Sequence, residues 1–225
     1  MTIMGLIFDF DGLILDTETA MFRSWEEIFT EYGITVSLVE WASLLGISTD
    51  HPTAYEIIEK HIGEPIDREA IQARRTQREL ELIKSEEVMP GVVDLITEAR
   101  ARGLCLGIAS SSDRKWVIGH LTKLGLYPFF ASIRCADDVS RTKPAPDLYL
   151  AVLHDMGLKP DQAIAFEDSL HGVEAVKRAG IFCVAVPNNV TRHLLMPEAD
   201  LTVNSLLEMR LEEYIKIAQG EPLNK

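Results

Sequence analysis

The chain is poor in cysteine and in positive charge, and it has no long apolar run. Its three cysteines, Cys105, Cys135 and Cys183, are odd in number and far apart. No Cys-x-x-Cys pair and no zinc-ligand spacing occurs, so the thiols are expected to be reduced and mostly buried, as in a cytoplasmic protein. Lys and Arg number 22 against 35 Asp and Glu, a formal charge of −13. An acidic surface repels nucleic acid and anionic membrane, so neither is an expected partner. The same field repels a phosphorylated ligand, and a phosphate site here needs local positive charge. No stretch reaches membrane-spanning length, and the start reads as a strand rather than as a basic, apolar leader. There is no internal repeat and no low-complexity tract. The six histidines (His51, His61, His120, His154, His171, His193) show no ligand spacing and read as surface or helix residues.

What the chain does have is apolar content. With 225 residues, 47% of them hydrophobic, it can bury one sizeable core and a smaller satellite domain. The run Ile3 to Phe8 is apolar on both alternations apart from Gly5, as in a strand buried on both faces of a parallel sheet. It ends in Asp9-Phe10-Asp11-Gly12. Ionised carboxylates beside a core cost several kcal/mol unless partnered, and the ends of parallel strands are where open α/β sheets place ligands. A hard-cation site with a nucleophilic carboxylate is one reading, and an Asp-x-Asp-Gly turn that closes a strand is the other. A calcium loop fails, because Gly12 follows Asp11 directly and Leu13-Ile14-Leu15 are apolar.

Asp16-Thr17-Glu18 reads as a helix start, with Asp16 as cap. A helix from Ala20 to Tyr32 follows, with Phe22, Trp25, Ile28 and Phe29 on one stripe. The pattern predicts further helices over Val39–Leu45, Ala54–Ile62 and Arg68–Ile83, broken near Gly46, Pro52 and Gly63-Glu64-Pro65. This is an all-helical insertion after the first strand. Arg68, Arg74, Arg75 and Arg78 in its last helix read as a solvated face. From Met89-Pro90-Gly91 onward strands and helices alternate. Strands are predicted at Leu104–Ala109, Ser132–Ala136, Ala163–Phe166, Ile181–Val186 and Leu201–Val203, with helices between them and a last helix over Leu206–Ala218. Such alternation means a parallel sheet with helices on both faces.

Three strand ends carry polar groups: Asp9 and Asp11, Ser110 and Ser112, Glu167 and Asp168. Lys143, in the loop after the Ser132 strand, should reach the same edge. Singly, Ser110 to Asp113 is an N-cap cluster, Lys143 a surface lysine and Glu167-Asp168 another cap. Together they supply the parts of phosphoryl transfer. A carboxylate nucleophile splits hydrolysis into two steps, and a second acid moves the protons. Hydroxyls and N–H groups at a helix start hold phosphate oxygens, and a lysine with Mg²⁺ neutralises charge.

The four stretches Phe8-Asp9-Phe10-Asp11-Gly12, Ile108-Ala109-Ser110-Ser111-Ser112, Lys143-Pro144-Ala145-Pro146-Asp147 and Phe166-Glu167-Asp168-Ser169 resemble, in order, the four motifs of the haloacid dehalogenase superfamily. The likeness is to its β-phosphoglucomutase-like phosphatase branch, over nearly the whole chain. It implies a doubly wound, Rossmann-like α/β core (residues 1–15 and 85–225) and a helical cap domain (16–84). It implies Asp9 as nucleophile and Asp11 as general acid/base. Mg²⁺ would be held by Asp9, the Asp11 backbone carbonyl and Asp168, with Glu167 bound directly or through water. Ser110, Ser111 and Lys143 would bind the phosphoryl group. Dehalogenase members lack an acid at the Asp11 position, so Asp11 argues for phosphate chemistry. The implied function is Mg²⁺-dependent hydrolysis of a small-molecule phosphate ester by a cytoplasmic monomer or weak homodimer. A sugar-phosphate mutase and a non-catalytic binding protein on the same fold are the alternatives. In the sugar mutases a histidine follows the Asp-Thr pair in the first cap helix; the matching residue here is Met21, which argues for water as acceptor.

Overall fold

The structure is a computed structural model that describes residues 2–46 and 53–222. The helix break expected near Pro52, and His51, lie outside the described residues. Among the described residues, β1 (Gly5–Phe8) is followed by four helices, α1 (Thr17–Glu31), α2 (Leu38–Gly46), α3 (Ala54–Ile62) and α4 (Arg68–Ile83). Then come α5 (Val92–Ala101), β2 (Cys105–Ala109), α6 (Arg114–Lys123), β3 (Ser132–Arg134), α7 (Asp147–Met156), β4 (Ala163–Glu167), α8 (Leu170–Arg178), β5 (Phe182–Ala185), β6 (Leu201–Thr202) and α9 (Leu211–Ala218).

All strand pairs are parallel, in the order β3-β2-β1-β4-β5-β6. This is the doubly wound α/β fold. Alternation along each strand explains the two layers. Leu6 and Phe8 pack with Val92, Leu95, Val117, Leu121 and Tyr214 of α5, α6 and α9, while Ile7, Ala165 and Cys183 pack with Leu148, Val152, Val173 and Val176 of α7 and α8. Burying each such large side chain contributes about 1.5–3 kcal/mol. The order reverses between β1 and β4, and ligands of open α/β sheets bind at such a reversal, beyond the carboxyl ends of the strands.

The chain leaves the sheet layer at Leu15 and returns at Val88. These two residues pair antiparallel, and the Met89 N–H donates to the Ile14 carbonyl at 2.9 Å. Between them α1 to α4 gather a separate apolar cluster that includes Trp25, Phe29, Trp41, Ile58 and Ile71. The Asp16 carboxylate caps α1 by accepting from the Thr19 N–H at 2.9 Å. Arg74–Glu31 and Arg78–Glu27 link α4 to α1 at 2.5 and 2.9 Å, but these pairs are exposed and contribute about 0–1 kcal/mol each. The aromatic cluster holds the helices together.

Three expectations need correction. Arg68, Arg74 and Arg78 do lie on a solvated face, but Arg75 does not: it is 13% exposed, pairs with Glu79 at 2.6 Å and sits over the Trp25 ring at 5.6 Å. The helix expected over Leu206–Ala218 is interrupted. Met209 and Arg210 are extended, and Glu213 accepts the Arg210 N–H at 2.8 Å, so the α-helix starts at Leu211. The third strand ends at Arg134 rather than Ala136, because Asp138 turns back to accept the Cys135 N–H at 2.9 Å. All three thiols are free; Cys135 and Cys183 are buried and Cys105 half-buried. No helix among the described residues is long and apolar enough to cross a membrane.

Candidate active site

Register brings the polar strand ends together. Phe8 pairs with Ile108 of β2 and Phe166 of β4, so Asp9 lies level with Ala109 and Glu167. The Asp9 N–H donates to the Phe166 carbonyl at 3.0 Å. The chain then turns tightly: Ile14 N–H donates to the Phe10 carbonyl at 2.9 Å and Gly12 N–H to the Leu15 carbonyl at 2.8 Å. Gly12 has φ +78°, and a Cβ there would fall 2.3 Å from Asp168 Oδ2. Both reasons require glycine.

Asp9, Glu167 and Asp168 are buried, and one carboxylate oxygen from each lies within 4.8 Å of the others. Lys143, 6% exposed, donates to Asp9 and to Glu167 Oε1, the latter at 2.5 Å. The Tyr149 hydroxyl donates to the same Glu167 oxygen at 2.5 Å. Ser169 holds Glu167 Oε2 with its hydroxyl at 3.2 Å. Gly172 leaves room for that carboxylate, since a Cβ there would overlap it at 1.9 Å.

Charge in this cluster is unbalanced: three buried carboxylates face one ammonium. Burial lifts the Asp9 carboxyl to about 7; Lys143 counters part of this, and Glu167 and Asp11 add to it. Burial, then the neighbouring Asp9 and Glu167, carry Asp168 well above the usual range. Burial works against the Lys143 charge, but Asp9 and Glu167 overcome it and raise its pKa. Burial and Glu167 likewise raise the Tyr149 phenol, which stays protonated and donates. Without further positive charge the cluster holds protons. An all-oxygen donor set short of positive charge fits a hard divalent cation.

Asp11 stands apart from this cluster. Trp116 Nε1 donates to its Oδ1 at 2.8 Å, and the hydroxyls of Ser112 and Ser110 donate to its Oδ2 at 2.7 and 3.3 Å. Asp113 caps α6 through the Trp116 N–H at 2.8 Å and thereby sets the indole's place. A cleft of about 300 Å³ opens over Asp9, Asp11, Glu18, Ser111, Lys143, Asp168 and His171. A second hollow shares Asp11 and Glu18 and adds Met21, Glu79 and Trp116. Glu18 Oε2 is buried with no hydrogen-bond partner; burial, then Asp11 and Asp9, push this carboxyl up to about 8.

The structure thus brings Asp9, Asp11, Ser111, Lys143 and Asp168 to one cleft, with Glu167 beneath it. Ser110 is fully buried; its hydroxyl donates to Asp11 at 3.3 Å and accepts the Ser112 N–H at 3.1 Å. His171 is an exposed residue of α8, as expected of the histidines, and it borders the cleft. Sequence reasoning missed Trp116, Tyr149, Glu18 and Asn188. Only Asn188 carried a usable signal, because Pro187-Asn188-Asn189 follows a buried strand as Glu167-Asp168 does.

The family model for haloacid dehalogenase-like hydrolases matches residues 6–186. The chain belongs to that family. It is 43% identical over 209 residues to YhcW of Bacillus subtilis, covering 93% of this chain and 94% of that protein. It is 34% identical over 184 residues to the fructose-1-phosphate phosphatase YqaB of Escherichia coli, covering 81% and 95%. A β-phosphoglucomutase of Clostridium difficile has the same fold, with a TM-score of 0.75 at 24% identity, covering 97% and 98%. The two curated relatives support a phosphoric monoester hydrolase.

Proposed function

We propose that the chain hydrolyses a small phosphorylated metabolite in a Mg²⁺-dependent reaction through phospho-Asp9. The observation that carries this is Asp9 at the end of β1, tied by Lys143 to Glu167 of β4 across the reversal of strand order. In this reading Asp9 attacks phosphorus, the ester P–O bond breaks, and Asp11 hands its proton to the leaving oxygen. Asp11 then takes a proton from water, which attacks phospho-Asp9; inorganic phosphate leaves and the Asp9 carboxylate is restored. Lys143 stabilises charge on the transferring group, and the Ser111 hydroxyl is within the same cleft to hold an oxygen. Trp116 and Ser112 aim the Asp11 carboxylate. Asp9, Asp168 and the Asp11 carbonyl would hold Mg²⁺, with Glu167 directly or through water; the ion supplies the positive charge that the cluster is short of. Residues 16–84 act as a cap that excludes bulk water over a core of residues 1–15 and 85–225. The buried thiols and acidic surface suit a cytoplasmic protein, monomeric or weakly dimeric. The relative named for fructose 1-phosphate supports a sugar phosphate as substrate.

Met21 lines the hollow beside Asp11 and Glu18. A thioether donates no hydrogen bond to couple cap closure to Asp11, which favours water as acceptor over a sugar hydroxyl. With β-glucose 1-phosphate and Mg²⁺, phosphate release is expected without glucose 6-phosphate, and a chelator should stop it. Fast, bisphosphate-primed formation of glucose 6-phosphate would replace this reading with a mutase.

The metal also has a pH signature. Asp9 keeps its proton up to about pH 7 when folded but only to the ordinary 3.8 when unfolded. Between those values the folded state binds more protons, so this group's contribution to stability falls as pH rises. A cation that replaces the proton restores it. Mg²⁺ at a hundredfold excess over its Kd should stabilise by about 2.7 kcal/mol at pH 8. For a chain of this length that is a Tm rise of roughly 5–10 °C. At pH 5.5, where Asp9 is protonated, the rise should be much smaller. Melts at the two pH values check this, and equal shifts would place the ion elsewhere.

A further inference from the structure

The loop that follows β5 joins two parts of the molecule. Asn188 is 3% exposed. Its Nδ2 donates to Asp168 Oδ2 at 2.7 Å and to the Gly12 carbonyl at 3.3 Å. Its Oδ1 accepts from the Val190 N–H at 2.8 Å and the Thr191 N–H at 3.0 Å. Only a carboxamide can serve both sides: a carboxylate lacks the donor, and a flipped amide would set its donors against two backbone N–H groups. The backbone of the Asp11-Gly12 turn lies so close that a Cβ on Gly12 would fall 2.5 Å from Asn188 Nδ2.

Two residues on, Val190 is fully buried, but in neither layer of the α/β core. It sits among Trp25, Phe29, Trp41 and Ile58 of the inserted helices, where Leu194 joins it, and α2 packs on the turn at Thr191–His193. The same short loop therefore grips the helical segment with one side chain and a buried site carboxylate with another.

We propose that Asn188 is a positioning residue that fixes the rotamer of Asp168 for cation binding, and that the Asn188–Leu194 loop transmits the seating of the helical segment to that carboxylate. The proposal rests on the phosphatase reading in that Asp168 is taken as a Mg²⁺ ligand. Hydrogen bonds that orient a metal ligand are typically worth 10–100-fold in affinity or activity. Linkage makes the coupling reciprocal: a phosphate ester that seats the helices on the core tightens Mg²⁺, and Mg²⁺ tightens the ester.

The test is calorimetric titration of the full chain with Mg²⁺ alone, together with metal-free melts and phosphate release as a function of Mg²⁺. Asn188→Asp keeps the acceptor for the Val190 and Thr191 N–H groups but loses the donor to Asp168 and sets a second carboxyl beside it. Its Mg²⁺ Kd is expected to weaken 10–100-fold. Its metal-free Tm should fall, because a carboxyl replaces the amide against the buried Asp168, while kcat at saturating Mg²⁺ should return to within about threefold. Val190→Ala, which trims a side chain packed among the inserted helices, is expected to weaken Mg²⁺ at least threefold through the loop. A Kd for Asn188→Asp within twofold of wild type, or tighter, overturns the positioning role. An unchanged Kd for Val190→Ala overturns the transmission. If wild type itself neither binds Mg²⁺ nor releases phosphate, the phosphatase reading has failed instead.

Discussion

Asp9→Asn is expected to remove turnover, by at least about 10⁴-fold, with the fold intact. An amide occupies nearly the same volume as the carboxyl but cannot attack phosphorus. Loss of activity through misfolding is the usual alternative, and here the electrostatics argue against it. Burial already pushes the Asp9 carboxyl up to about 7, so near neutral pH without metal the native side chain spends much of its time uncharged. A neutral amide is close to that protonated form, and Lys143 keeps Glu167 as its partner at 2.5 Å. The metal-free Tm at pH 7.5 should therefore equal or slightly exceed that of wild type. Phosphate release measured beside a thermal melt checks both halves. Near-native turnover would end the assignment of Asp9 as nucleophile.

Lys143→Met should damage both activity and stability. The ammonium is hydrogen-bonded to two of the three carboxylates, Asp9 and Glu167, and no other Lys or Arg among the described residues bonds any of the three; removing a donor that stabilises transition-state charge costs on the order of 10³-fold in kcat. Its loss also leaves Asp9 and Glu167 buried without a cation. Breaking a buried pair from one side costs about 3–5 kcal/mol, or roughly 6–20 °C in Tm for a chain of this size. The loss should be smaller at pH 5.5 than at pH 8, because Asp9 can take up a proton at the lower pH. Mg²⁺ should restore part of the stability and little of the rate. A melt that shows no dependence on pH or Mg²⁺ would mean that Lys143 does not carry the charge balance described.

The strands buried on both faces, the helical insertion after β1 and the three polar strand ends were all legible in the sequence. Each leaves a local mark: apolar residues on both alternations, a 3.6-residue stripe, or carboxylates directly after a buried run. In a parallel sheet the strand ends lie on one edge, so Asp9, Ser110, Lys143 and Asp168 could be grouped without coordinates. What periodicity could not tell was which side chain meets which on that edge. Asp11 finds Trp116, 105 positions away, and Asn188 finds Gly12, 176 positions away. Arg74 and Arg75 are neighbours in one helix, yet one is exposed and the other packs over Trp25. Ser110 turns its hydroxyl to Asp11, though the local pattern marked it equally well for phosphate. Local pattern determines which face of an element is buried. The pairing of long side chains across elements depends on register and approach to within an ångström, which only the packed sheet and the helices seated on it decided.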